Sequence, residues 1–168
     1  MANSNLILSS LLALFTVVSH AASNDVVSTI CPKTMNPPFC ASVLKSAGTT
    51  DMKRLAVYTL KLAHTNAAKC VALAKSLAAT ATNTQLKQRY SSCSESFDEA
   101  VGDIETAQED LAAGDFNAVN IATSGAMTEI DDCQDNFKQP PTDTSMLLKN
   151  GRTLNDICSI ILVISNLL

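Results

Sequence analysis

The stretch Asn83–Phe137, NTQLKQRYSSCSESFDEAVGDIETAQEDLAAGDFNAVNIATSGAMTEIDDCQDNF, decides the fold. Leu86, Tyr90, Cys93, Phe97, Val101, Ile104 and Leu111 recur at helical spacings, and so do Phe116, Val119, Thr123, Ala126, Ile130, Cys133 and Phe137. Each series puts one stripe on one face of a helix. Between them, Ala112-Ala113-Gly114-Asp115 offers a glycine able to end the first helix in the left-handed region and an aspartate able to cap the second. The stretch reads as a helical hairpin turning near Gly114.

In an antiparallel hairpin the position numbers of facing residues add to a constant set by the turn, here about 227. Leu111 then faces Phe116, Ile104 faces Thr123, Val101 faces Ala126, Phe97 faces Ile130 and Tyr90 faces Phe137. Cys93 and Cys133 share the apolar seam and lie at the same height, about 20 residues from the turn, which predicts a disulfide between them. Closing about 40 residues, that bond is worth ~4 kcal/mol in the chain-entropy model.

The whole chain has 168 residues, enough for one domain with a true core. It has no Trp, few aromatics and only 5 Gly, and is rich in Ala and Leu, which suits helices far better than a sandwich of strands. N-terminally, an apolar run from Leu6 to Val18 followed by Ser19-His20-Ala21-Ala22 reads as a secretory signal peptide over 1–22. The run is shorter than the ~20 residues that span a bilayer. Secretion permits disulfides, and the 6 cysteines all follow the signal segment. Cys31 and Cys40 enclose a short proline-rich loop, so local pairing is expected. Cys70 and Cys158 are left either to pair or to stay as buried thiols.

Residues 23–48 form an arm: a short helix over Asp25 to Ile30, then prolines 32, 37 and 38, which break any single helix into two short ones stapled by Cys31 and Cys40. The arm has little core of its own and must lean on the bundle or on another molecule, including a second copy of the chain. Residues 49–168 form the bundle. Thr50 is a candidate cap for a helix running to about Ala79, with Leu55, Tyr58, Leu62, Cys70, Leu73 and Leu77 as its apolar positions. Pro140-Pro141 ends the hairpin. The last helix starts near Thr142 or is interrupted at Asn150-Gly151, with a second cap at Thr153, and carries Leu154, Ile157, Ile161, Ile164 and Leu168 inward. The fold class is all-α: an antiparallel up-down-up-down four-helix bundle preceded by a short N-terminal helical hairpin.

Signals for chemistry are sparse. His64, the one histidine beyond the signal segment, has no partner marked in the sequence, and a structural role is expected of it. There is no CxxC, HExxH or phosphate-cradling glycine loop, so no metal, no cofactor and no catalytic site are expected. The net charge of -4 disfavours nucleic acid and anionic membranes as partners. The acids are concentrated: Glu95 to Asp135 holds most of the 16, and no Lys or Arg lies between Tyr90 and Phe137. By the same register Glu95 faces Asp132 and Asp98 faces Glu129, crowding like charges near the Cys93–Cys133 end. A solubilising face is the plain reading of this pattern, and a docking surface for a basic protein is the sharper one.

The markers Ile30-Cys31-Pro32-Lys33-Thr34, Asn36-Pro37, Phe39-Cys40, Arg89-Tyr90, Cys93-Ser94-Glu95, Gly114-Asp115, Cys133 and Val163-Ile164-Ser165-Asn166-Leu167-Leu168 resemble the plant pectin methylesterase inhibitors, within the family they share with invertase inhibitors. The likeness covers nearly the whole chain after the signal segment. It implies disulfides Cys31–Cys40 and Cys93–Cys133, an unpaired cysteine near Cys158, and a secreted, non-enzymatic inhibitor acting in the apoplast and cell wall. Gly114-Asp115-Phe116-Asn117, where invertase inhibitors often carry Pro-Lys-Phe, favours the pectin methylesterase branch; inhibition of cell-wall or vacuolar invertase is the alternative, and a secreted small-molecule carrier a remote one. The resemblance further implies a one-to-one complex across the enzyme's pectin-binding cleft, with Glu95, Glu99, Asp115, Asp132 and Asp135 as partner-binding residues.

Overall fold

The computed structural model describes residues 25–168, so the signal segment expected over 1–22 lies outside the described residues. A short helix, α1 (residues 25–30), runs into a 3-10 turn at Cys31–Lys33 and is followed by α2 (Pro37–Ser46). Four long helices follow: α3 (Met52–Thr80), α4 (Thr84–Ala113), α5 (Phe116–Asp135) and α6 (Leu147–Ser165). Among the described residues there is no strand. Short connections force neighbouring helices antiparallel. In the ring α4 lies between α3 and α5, and α6 closes it against both α5 and α3. This is the up-down-up-down bundle with its N-terminal arm.

Local chemistry sets the helix ends. Asn83 Oδ1 accepts the Leu86 N–H at 3.0 Å and Asp115 Oδ1 accepts the Ala118 N–H at 2.9 Å, each quenching a first-turn donor. At the hairpin turn Gly114 has φ of 80°, the Asp115 N–H reaches the Asp110 carbonyl at 2.9 Å and the Gly114 N–H reaches Leu111 at 3.2 Å. That pair of bonds is the Schellman motif, which needs the left-handed residue glycine tolerates. At α3 the cap is Asp51, whose Oδ1 takes the Arg54 N–H at 2.8 Å, one residue beyond the expected Thr50. An ionised carboxylate also gains from the positive helix end, which a hydroxyl does not.

Cys93 and Cys133 are bonded at 2.04 Å in the α4–α5 seam. Tyr90 and Phe137 stack with centroids 5.4 Å apart. Phe97, Ile104, Ile130, Leu154 and Ile161 fill the bundle interior. Two expectations change here. The inward face of α3 is mostly alanine, with Leu60, Ala63, Ala67, Cys70, Ala74 and Ala78 buried, while Tyr58, Leu62, Leu73 and Leu77 sit half-buried along its edges. Small residues let α3 approach its neighbours closely, and the bulky ones cover the flanks. Second, α6 is not interrupted at Asn150-Gly151. Gly151 is buried, and a Cβ there would lie 3.3 Å from Phe97 Cζ, so this glycine admits the Phe97 ring instead of breaking the helix. Thr153 caps nothing; its hydroxyl donates back to the Lys149 carbonyl at 3.2 Å.

The arm packs on its own bundle. Ile30, Val43 and Leu44 join Leu55, Ala56, Ile160 and Ile164 in a second apolar cluster, beside the Cys31–Cys40 bond of 1.98 Å. Polar pins hold its loop to α6: the Met35 N–H donates to Ser159 Oγ at 2.9 Å and Asn36 Nδ2 to Asp156 Oδ2 at 2.8 Å. Cys70 and Cys158 are both free and buried, and burial pushes their thiols up to about 11 and about 12. No helix among the described residues is long and apolar enough to cross a membrane.

Thr123 is fully buried on the seam and its hydroxyl has no hydrogen-bond partner. An unsatisfied buried hydroxyl costs on the order of 1 kcal/mol or more. Thr123→Val, nearly isosteric, is expected to raise stability by about 1 kcal/mol in a urea titration; an unchanged or lowered midpoint would mean that the hydroxyl is satisfied.

Candidate functional site

Because α4 and α5 turn their apolar stripes inward, their remaining residues form an outer face, and between Tyr90 and Phe137 every Asp, Glu, Lys or Arg on it is an acid. Glu95, Asp98 and Glu99 are exposed on α4, and Asp131, Asp132 and Asp135 on α5. At its centre the Glu129 and Glu99 carboxyl groups lie within hydrogen-bonding reach of each other. Burial raises the proton affinity of Glu129, and the charge and contact of Glu99 and the charges of Asp132 and Asp103 raise it further. Asp103 is pushed up in the same way, first by burial and then by Glu99. Asp103 fits because the facing residue is Gly125, where a Cβ would come within 2.7 Å of Asp103 Oδ2.

The expected pairing of Asp98 with Glu129 is therefore replaced by Glu99 with Glu129. On the outer side of the hairpin facing positions add to one more than expected, as the 3.4 Å contact of Asn136 Nδ2 with Ser92 Oγ also indicates, while on the inner seam the bonded Cys93 and Cys133 add to one less. Successive residues on a helix diverge by about 100°, so one step selects a different carboxylate.

Of the five expected contact residues, Glu99 and Asp132 belong to this cluster, and Glu95 lies one turn from Glu99 on the same helix. Asp135 is held by Lys138 at 2.7 Å, an exposed pair that offsets some of its charge. Asp115 is elsewhere: it caps α5 at the turn, ~20 Å along α4 from Glu99. Glu129, expected in the crowded register though not as a contact residue, and Asp103, which was not singled out, complete the cluster; the small Gly125 opposite Asp103 is the signal that could have found the latter.

The connection between α5 and α6 flanks this end of the hairpin and is tied to α4. Arg89 donates to the carbonyls of Gln139 at 2.6 Å, Pro141 at 2.5 Å and Pro140 at 3.2 Å, and its guanidinium lies 5.7 Å from the Phe137 ring centroid. Tyr90 Oη donates to Asp143 Oδ1 at 2.8 Å, and Asp143 also accepts the Ser145 and Leu148 N–H groups. Burial works to raise the Asp143 pKa, but hydrogen bonds from Ser145, Tyr90 and Leu148 outweigh it and hold the carboxyl below its ordinary value. The Tyr90 hydroxyl is pushed up to about 12, by burial and by Asp143. His64 sits apart, with Nε2 2.9 Å from Glu105 Oε1 at the α3–α4 surface. No group of His, Cys, Asp and Glu among the described residues is arranged to hold a metal ion.

The family model described as plant invertase/pectin methylesterase inhibitor matches residues 25–164. The chain belongs to that family. It is 37% identical over 153 residues to a pectinesterase inhibitor of Actinidia deliciosa, covering 89% of this chain and 83% of the relative. It is 34% identical to pectinesterase inhibitor 1 of Arabidopsis thaliana, over 98% of this chain and 94% of the relative. A candidate invertase inhibitor of Platanus acerifolia is more distant, at 23% identity over 92% of each chain. The fold matches the crystal structure of a mutant form of a pectin methylesterase inhibitor from Arabidopsis with a TM-score of 0.80 at 34% identity, covering 84% of this chain and 96% of that one.

In this member of the family the crowded carboxyls carry a pH signature. A carboxyl whose folded-state pKa is raised above its unfolded value makes the folded state lose stability as pH climbs from the unfolded value, 4.5 for Glu129, through the folded one. Glu129→Gln is therefore expected to raise the melting temperature at pH 7, with the gain shrinking towards pH 4, where the native carboxyl is protonated. A gain independent of pH, or a loss at pH 7, would contradict this origin.

Proposed function

We propose that the chain inhibits plant pectin methylesterase by laying the outer α4–α5 face across the enzyme's pectin-binding cleft in a one-to-one complex, excluding the polymer. The observation that carries the reading is the face itself: between Tyr90 and Phe137 it bears acids and no Lys or Arg, on a hairpin locked by a disulfide. A cleft that receives an anionic polyuronate presents polar and basic groups, and a rigid set of carboxylates meets the same groups as the substrate does. Glu95, Glu99 and Asp132 are the central contacts, with Asp135 at the edge and Asp115 at the far turn. Inhibition of this kind asks no chemistry of the inhibitor. Its setting is the apoplast, where the signal segment would deliver the chain and where cell-wall pectin is de-esterified. The arm, pinned to α6 in the monomer, is the segment through which two copies would associate.

Pectin methylesterase is favoured over invertase by the names and the higher identity of the closer relatives, and by Gly114-Asp115-Phe116 at the turn. The carrier reading is disfavoured by an interior filled with Phe97, Ile104, Ile130 and Leu154.

Reversing one central charge should weaken the complex and leave the fold intact, since Glu99 is exposed. Glu99→Lys is expected to raise the half-inhibitory concentration against a plant pectin methylesterase by at least about tenfold, a ~1.4 kcal/mol loss. Glu109→Lys, near the turn, is expected to change it by less than about twofold, with both variants equally helical by circular dichroism. Equal effects at the two sites would move the contact off this end of the hairpin. Stronger inhibition of an invertase than of the esterase would overturn the choice of enzyme.

A further inference from the structure

The chain has 5 glycines, and the fold accounts for all but one of them. Gly48 and Gly114 have φ of 64° and 80°, a region that side chains disfavour. At Gly125 a Cβ would come within 2.7 Å of Asp103 Oδ2, and at Gly151 within 3.3 Å of Phe97 Cζ. Gly102 has neither reason. It lies in regular helix inside α4, exposed, and a Cβ there would meet nothing within 4 Å. Glycine weakens a helix interior relative to alanine, because it gives up more backbone freedom on folding. Nothing within the chain offsets that loss.

The place of the gap is specific. Asp98 and Glu99 precede Gly102 by one turn, and Glu105 and Thr106 follow it by one turn, so these four border it on the outer face of α4. Helical side chains lean toward the N-terminus, so the surface that a side chain at 102 would cover lies over the turn of Asp98 and Glu99. Its absence leaves a hollow there, floored by helix backbone. Thr106 Oγ1 donates to the Gly102 carbonyl at 3.0 Å, which caps the polar floor from one side. An apolar stem can therefore lie on this floor without stranding a donor or an acceptor. Glu105 is occupied by His64 Nε2 at 2.9 Å, which leaves Asp98 and Glu99 as the carboxylates open to a partner beside the hollow. Glu99 already crowds Glu129, and an arriving cation would relieve that repulsion.

We infer that Gly102 sets specificity on the inhibitory surface: its hollow receives one arginine or lysine of the esterase, with the methylene stem against the α4 backbone and the cationic head between Asp98 and Glu99. This rests on the proposed docking of the α4–α5 face on pectin methylesterase, and adds to it a contact that depends on shape as well as charge. A long cationic side chain matches both parts of the hollow, since its stem is apolar and its head is drawn to carboxylates. Any side chain at 102 fills the hollow and lifts the partner off the backbone.

Thermal unfolding and inhibition, measured on the same variants, separate this role from a structural one. Gly102→Ala and Gly102→Leu each replace a helix-weakening residue where there is open space, so both are expected to fold and to raise the melting temperature by about 2–4 °C. Inhibition of a plant pectin methylesterase is expected to move the other way. The half-inhibitory concentration should rise at least about threefold for alanine and at least about tenfold for leucine. Ala72→Leu, exposed in the middle of α3, adds similar bulk away from the α4–α5 face and is expected to change it by less than about twofold. Unchanged or stronger inhibition by the Gly102 variants, or a weakening no greater than that of Ala72→Leu, would overturn the assignment and leave the docking proposal standing. A lowered melting temperature in Gly102→Ala would mean that the glycine serves the fold, and would overturn it as well. If the unaltered protein does not inhibit the esterase, the docking proposal fails and this contact fails with it.

Discussion

The bond between Cys93 and Cys133 sets the axial register of α4 against α5, and most of the molecule follows from that register. With the Schellman turn at Gly114 closing the other end, the two helices are fastened about 20 residues apart and cannot slide or splay. This matters because their outer faces repel. Glu99, Asp103, Glu129 and Asp132 share one patch, where burial first and then the neighbouring charges raise the proton affinity of Glu129. The apolar seam beneath, the turn and the covalent bond together hold a charge arrangement that free helices would relax by separating. A one-sign surface is thus kept in place by internal forces.

The other elements make the hairpin a bundle. Alanines on α3 and Gly151 on α6 bring those helices close enough to cover Phe97 and its neighbours, so the hairpin's inner seam is buried on all sides. Arg89 and Asp143 then tie down the connection between α5 and α6, using a cation for backbone carbonyls and an anion for backbone N–H groups. The arm adds a small second core, with Met35 and Asn36 pinned to α6.

How far this could be read from the residues depended on the kind of signal. The long period-3.6 stripes of α4 and α5, bounded by Asn83 and Gly114-Asp115, are strong because large apolar side chains repeat many times. They located the turn and the facing pairs to within one residue. That one residue decided which acid meets Glu129, since neighbouring positions point to different sides. On α3 the signal misled, because alanine is weakly apolar yet ideal at close contacts, whereas Tyr58 and Leu62 look like core and lie at its edge. Gly151 was ambiguous in principle: a glycine that ends a helix and one that admits an aromatic ring are the same letter, and only the position of Phe97 separates them. The place of Asp103 in the cluster, opposite Gly125, depends on a contact across helices that no local pattern encodes.

The central claim is that the carboxylates near the disulfide end of the hairpin meet the enzyme. Carboxyl-specific chemical footprinting, read by mass spectrometry with and without a saturating plant pectin methylesterase, addresses each acid separately. Glu95, Glu99 and Asp132 are expected to lose reactivity in the complex, while Glu109 and Asp110 near the turn keep theirs. Protection confined to acids outside α4 and α5, or equal reactivity of Glu95, Glu99 and Asp132 in the free and bound states, would contradict the account.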